Sequence, residues 1–213
     1  HWDSRIFGGR GTKVLPTVLQ NIWRPAYLKR LISEAVTEVE WKASLAADRF
    51  APMMEKLVGD TSRPAPLVIT HSMGAYLWSE LVQSLLVAGK PLVNLGNWWS
   101  MQPAIPWTAF ASDGEFEAVG ALYSNESFRK TIWYSHFDIV LATLYLVGKG
   151  RFAMGQLGAR FLPVEQVNLA FSAREAHGAT CVGKRNHTFF SRVKKLIRGK
   201  ASELALLKGT VTA

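Results

Sequence analysis

A single cysteine, Cys181, excludes an internal disulfide framework and leaves the fold to stand on packing. Runs of about eighteen apolar residues, the length that spans a bilayer, are absent, and the first residues have neither the basic nor the apolar region of a secretory signal. These absences favour a cytoplasmic or peripheral-membrane location. Apart from His1, the histidines are scattered as His71, His136, His177 and His187, with no His-Glu-x-x-His spacing, so no metal site is expected. Gly-x-Gly-x-x-Gly is also absent, so no dinucleotide is expected, and the chain should act without a cofactor.

Acidic residues are scarce too. Lys and Arg outnumber Asp and Glu by 25 to 16, and the net charge of +9 favours anionic partners. The excess is concentrated late: Lys184, Arg185, Arg192, Lys194, Lys195, Arg198 and Lys200 fall in one segment without an acid. Phe189, Phe190, Val193, Leu196 and Ile197 interleave with these cations, the pattern of an interfacial helix. A basic helix over 187–198 is therefore expected, either facing an anionic membrane surface or packed on the sheet with a solvated basic face. Nucleic acid is not the expected partner.

The composition is that of a globular protein, with 48% hydrophobic and 19% charged residues, and the length suits one domain over 1–213. From Leu15 to Val58 apolar residues at Leu28, Leu31, Ile32, Ala35, Val39, Leu45 and Ala46 recur at mostly helical spacing, with Pro25 and Pro52 as breaks or first turns. Pro66 to Thr70 is a short apolar run of the buried-strand kind, and Ala75 to Val87 reads as a helix that Gly89-Lys90-Pro91 ends. Leu92–Leu95, Thr131–Ser135 and Val164–Phe171 read as further strands, and 148–163 as a glycine-rich irregular stretch. Strands alternating with helices imply an α/β domain with a mostly parallel sheet.

The chemistry centres on Thr70-His71-Ser72-Met73-Gly74, where a strand runs into a serine and then straight into a helix. A nucleophile elbow needs that context, because the serine sits on a strained turn whose following helix presents N–H groups and a positive dipole end. Gly74 is expected to let the helix pass close to the strand. The bland alternative makes Ser72 an N-cap. These residues resemble the α/β-hydrolase superfamily, in which Gly-His-Ser-Met-Gly is a frequent lipase and esterase elbow; here Thr70 replaces the first glycine. The likeness extends in element order over about Trp2 to Ile197, and its specific part is the elbow. The segment Tyr134 to Phe190 also looks like α/β-hydrolases found as a domain of unknown function in some membrane-associated proteins.

The resemblance implies a fold of parallel strands flanked by helices and a triad in the order serine, acid, histidine. Asp138 follows the strand-like text Thr131–Ser135, where a triad acid would sit; its other reading is the N-cap of a helix over Ile139–Val147. Asp113, in a Ser-Asp-Gly turn with no strand before it, is the weaker candidate. His71 adjoins the nucleophile and should point to the far side of the elbow, and His136 precedes the acid, which leaves His177 and His187. His187, opening the last helix, is preferred as the base.

Met73 N–H is the one oxyanion donor that the elbow supplies. Trp2-Asp3-Ser4-Arg5 with Gly8, Gly9 and Gly11 resembles the end of the strand before the elbow strand, which would place the first strands and the second donor upstream of His1. Alternatively Gly8-Gly9-Arg10-Gly11 is itself an oxyanion loop. Trp98, Trp99, Met101, Pro103, Ile105, Pro106, Trp107 and Phe110 are expected to form an acyl pocket or lid within about 96–130, with Trp98, Trp99 and Trp107 as substrate-binding residues; ordinary core is the rival reading. The function expected is a serine esterase or lipase that cleaves a lipid or other acyl ester through Ser72, Asp138 and His187. An inactive scaffold or a membrane-binding module is the alternative.

Overall fold

A computed structural model describes residues 24–124, 128–160 and 165–169. Its four strands, β1 Leu67–His71, β2 Asn97–Met101, β3 Lys130–Tyr134 and β4 Glu165–Asn168, form one sheet in which every pairing is parallel and the spatial order follows the chain. Helix α1 is Pro25–Val58, α2 Gly74–Val87 and α3 Glu117–Tyr123; a π-helical turn Leu141–Tyr145 leads into α4 Leu146–Lys149, and α5 is Met154–Leu157. The domain is thus α/β, a parallel sheet flanked by helices, as the alternation of strand and helix text requires. The basic segment 187–198 lies outside the described residues. Among the described residues no helix is long and apolar enough to cross a membrane.

Helix α1 runs unbroken through Pro52, where a break was expected, while Pro25 does occupy the first turn. Packing carries the helix past its missing hydrogen bond, because Ala47, Met54 and Val58 on either side of Pro52 are buried. Its inner face is Val39, Ala43, Ala47, Met54 and Val58, and Leu45, expected inside, is 37% exposed. Helix α1 packs against α2, and the small residues at 43 and 47 are fully buried, a choice that hydropathy alone does not reveal. Lys149 at the end of α4 donates to Glu40 of α1 at 2.7 Å. Burial raises the Glu40 carboxyl above the usual carboxylate range, and the Lys149 ammonium opposes that rise.

The second strand is Asn97–Met101, not Leu92–Leu95. Leu92 and Leu95 are buried in the connection, where the Asn94 side chain donates to the carbonyls of Asp60 and Arg63. Successive side chains of a strand point to opposite faces, so Trp98 and Trp99 divide between the two sides of the sheet. Trp98 is wholly enclosed, packed edge-on against Trp78 and Phe110, whereas Trp99 pairs with Trp133 at 6.3 Å. A doubly covered strand gives a continuous apolar run rather than an alternation, which is why this one reads as pocket text.

Lys130 sits beside Trp98 in the same cross-strand row and is 3% exposed. Its Nζ lies 3.7 Å from the Trp98 ring centroid and 3.0 Å from that of Phe110, with no hydrogen-bond partner among the described residues. Ring faces favour an ammonium by roughly 0.5–2 kcal/mol, less than the several kcal/mol that burying it costs. Burial therefore pushes the group well below the ordinary lysine range. A base with a lowered folded pKa costs stability once pH falls below its unfolded value, because the unfolded state then binds the proton more tightly. Replacement Lys130→Met should therefore stabilise the protein at pH 7 by on the order of 1–2 kcal/mol, with the gain shrinking as pH approaches about 10.4. Thermal melts at pH 7 and pH 10 check this; a gain independent of pH would contradict it.

Candidate active site

Ligands of open parallel sheets gather at the carboxyl ends of the strands. At that edge β1 ends at His71, in register with Met101 of β2, which is itself in register with Trp133 of β3. The ladder continues past the strands: Ser72 N–H donates to Met101 O at 3.0 Å, and Gln102 N–H donates to Trp133 O at 2.7 Å. Both residues adopt the left-handed conformation, Ser72 at φ 53° and Gln102 at φ 44°. A side chain in that region costs about 1–3 kcal/mol and persists only where neighbours impose it. For Ser72 the imposition is visible in its carbonyl, which accepts from Ala75 N–H and Ala104 N–H, both at 3.1 Å.

Helix α2 starts two residues after Ser72, with Met73 as its cap. Among the described residues no backbone carbonyl accepts from Met73 N–H. The Met73 side chain is buried in the core. A Cβ built at Gly74 would meet only Thr70 Cβ at 3.6 Å, an ordinary contact, so the expected steric need for glycine there is not met. Thr70 serves the core, since its Oγ1 accepts from the buried Trp98 indole at 2.8 Å.

Asp138 is fully buried beyond β3. Its N-cap reading holds on one oxygen, and the other oxygen meets a glutamine. Oδ1 accepts from Leu141 N–H at 3.0 Å, capping the helical segment, and Oδ2 accepts from Gln102 Nε2 at 2.9 Å. The loop that carries it is pinned by Ser135, whose N–H donates to Gly155 O and whose carbonyl accepts from Asp138 N–H. Asp113 is exposed at φ 65° in its turn. His71 is half-buried at the end of β1, on the face it shares with Met101, and His136 is exposed with its ring edge-on to Tyr134 at 5.3 Å. His177 and His187 lie outside the described residues, as does the glycine-containing start 1–23.

The expected pocket wall is mostly interior. Trp98 has no exposed surface, and Ile105, Phe110 and Phe116 join it in the core cluster, so residues 96–124 pack as part of the fold rather than as a cover. Trp99 is buried against Trp133. Trp107 alone of the three is half-buried, with the Arg160 guanidinium 5.0 Å from its ring centroid. The residues that sequence reasoning missed are Gln102, which bonds the acid, and Phe137 and Ile139, which flank it at 57% and 66% exposure. Gln102 did leave a signal, as a polar side chain inside the apolar stretch Trp98 to Phe110.

Glycine in place of Thr70 should harm the protein. Thr70→Gly and the near-isosteric Thr70→Val both orphan the Trp98 indole N–H, a loss of about 1–3 kcal/mol each. Denaturant melts check this, and an unchanged midpoint for Thr70→Val would show that the bond carries no weight. No family model matches the chain, and comparison with curated proteins and with solved structures likewise finds no match.

Proposed function

We propose that the chain is a serine hydrolase of the α/β-hydrolase type that cleaves esters of a lipid or other acyl substrate. The observation that carries the reading is Ser72 at φ 53° between a parallel strand and a helix, at the same sheet edge as a buried carboxylate held by two donors. A serine that only capped a helix would take an ordinary extended conformation and bond a backbone N–H of the first turn. Ser72 instead has left-handed backbone, and it stands one residue before Met73, the cap of α2.

In this reading His187 removes the Ser72 proton and Oγ attacks the ester carbonyl. Met73 N–H at the helix front donates to the developing oxyanion, and water then releases the acyl group. Asp138 orients the imidazole and stabilises its cation. The exposed Phe137 and Ile139 beside Asp138 support a hydrophobic acyl group. The net charge of +9 supports an anionic surface as the place where such a substrate is met.

Labelling by a fluorophosphonate probe tests the proposal. Wild type should label; Ser72→Ala and His187→Ala should abolish labelling, and Asp138→Asn should slow it on the order of 10^3-fold. Labelling lost in Ser72→Ala but kept in His187→Ala would move the base to His177. A folded wild type that does not label would remove the hydrolase reading and leave a scaffold.

A further inference from the structure

The turn between β2 and the following buried loop touches both halves of the proposed catalytic apparatus. Ala104 N–H donates to the Ser72 carbonyl at 3.1 Å, while Gln102 Nε2 donates to Asp138 Oδ2 at 2.9 Å. Resting on the hydrolase reading, we infer that Gln102 is a positioning residue, which locks the Asp138 carboxylate in the orientation that receives the catalytic imidazole.

Three features separate this from incidental packing. The first is complementarity. Leu141 N–H occupies Oδ1 and Gln102 occupies Oδ2, so the two donors come from different segments and together fix the carboxylate plane. A hydrogen bond to a carboxylate is among the stronger ones available to a side chain. The second is strain. Gln102 stands at φ 44° with no solvent exposure, a conformation in which glycine or asparagine is easier, so the backbone is held for what the side chain reaches.

The third is the support beneath it. Gln102 N–H is tied to Trp133 O, Gly155 N–H donates to Pro103 O at 2.8 Å, and Ser135 N–H donates to Gly155 O at 2.9 Å. Gly155 is required for that closeness, since a Cβ there would come within 2.3 Å of the Gln102 carbonyl carbon. Helix α5 therefore clamps the Gln102 turn to the loop bearing Asp138. A side chain on so fixed a base holds its amide against the carboxylate, which is what a positioning group must do.

The test is the rate of fluorophosphonate labelling across pH 5–9 for wild type, Gln102→Leu, Gln102→Glu, Asp138→Asn and the double variant Gln102→Leu/Asp138→Asn, each checked for folding by a thermal melt. Gln102→Leu should slow labelling about tenfold to a hundredfold. In the Asp138→Asn background the same substitution should change the rate less than about twofold, because its effect passes through the carboxylate. Gln102→Glu keeps shape and volume, and serves where Gln102→Leu does not fold. It sets two carboxyls in contact that must share a proton, so the acid limb of its profile should move to higher pH by about one unit or more. A merely structural glutamine would leave that limb in place. Wild type that labels, with an unmoved Gln102→Glu profile or equal losses in both backgrounds, overturns the inference alone. Wild type that does not label overturns the hydrolase reading and this role together.

Discussion

Two backbone hydrogen bonds beyond the ends of the strands carry the candidate site: Ser72 N–H to Met101 O and Gln102 N–H to Trp133 O. They extend the parallel ladder by one rung at each of two adjacent strands, and they do so at residues whose φ is positive. A chain leaving a strand in the left-handed region turns sharply, so β1 can pass into α2 within two residues and β2 into a loop folded back on the elbow. The strain at each turn is sustained by the register that supplies its acceptor. Shift that register by one residue and every side chain at the edge would change face.

The acid side of the site rests on a longer train of contacts. Helix α1 packs against α2 and buries Ala43 and Ala47 in the core, and it presents Glu40 to Lys149 at the far end of the 141–149 helical segment. The near end of that segment bonds Asp138 through Leu141 N–H. One segment is therefore anchored at both ends, by an ion pair in the helical layer and by the candidate acid at the sheet edge. Within the sheet, Trp98 and Lys130 occupy one row whose polar atoms are treated differently: the indole finds Thr70, while the amine lies against aromatic faces.

Much of the site's outline was legible along the chain. The strand, the serine and the helix around 67–87 are adjacent in sequence, so local pattern suffices to place them, and Asp138 follows its strand in the same local way. Elements that depend on which residues face what were not legible. Leu92–Leu95 and Asn97–Met101 are both short and apolar, and nothing local tells a buried connection from a strand buried on both faces. Pro52 signals a break that tertiary packing overrides. The tryptophans read as pocket lining for the same reason, since a pocket wall and a core are built from the same residue types.

By itself the sequence determined the α/β alternation, the order of strand, Ser72 and helix, the place of Asp138 just after a strand and the preponderance of positive charge, all of which follow from residues close together in the chain or from composition. Only the tertiary structure decided that Gln102 reaches Asp138, so that both carboxylate oxygens are held, and that Thr70 rather than a glycine serves Trp98. These two bonds join residues 36 and 28 positions apart. Such pairs exist only once parallel pairing has brought the strand ends level, and hydropathy and spacing carry no record of that alignment.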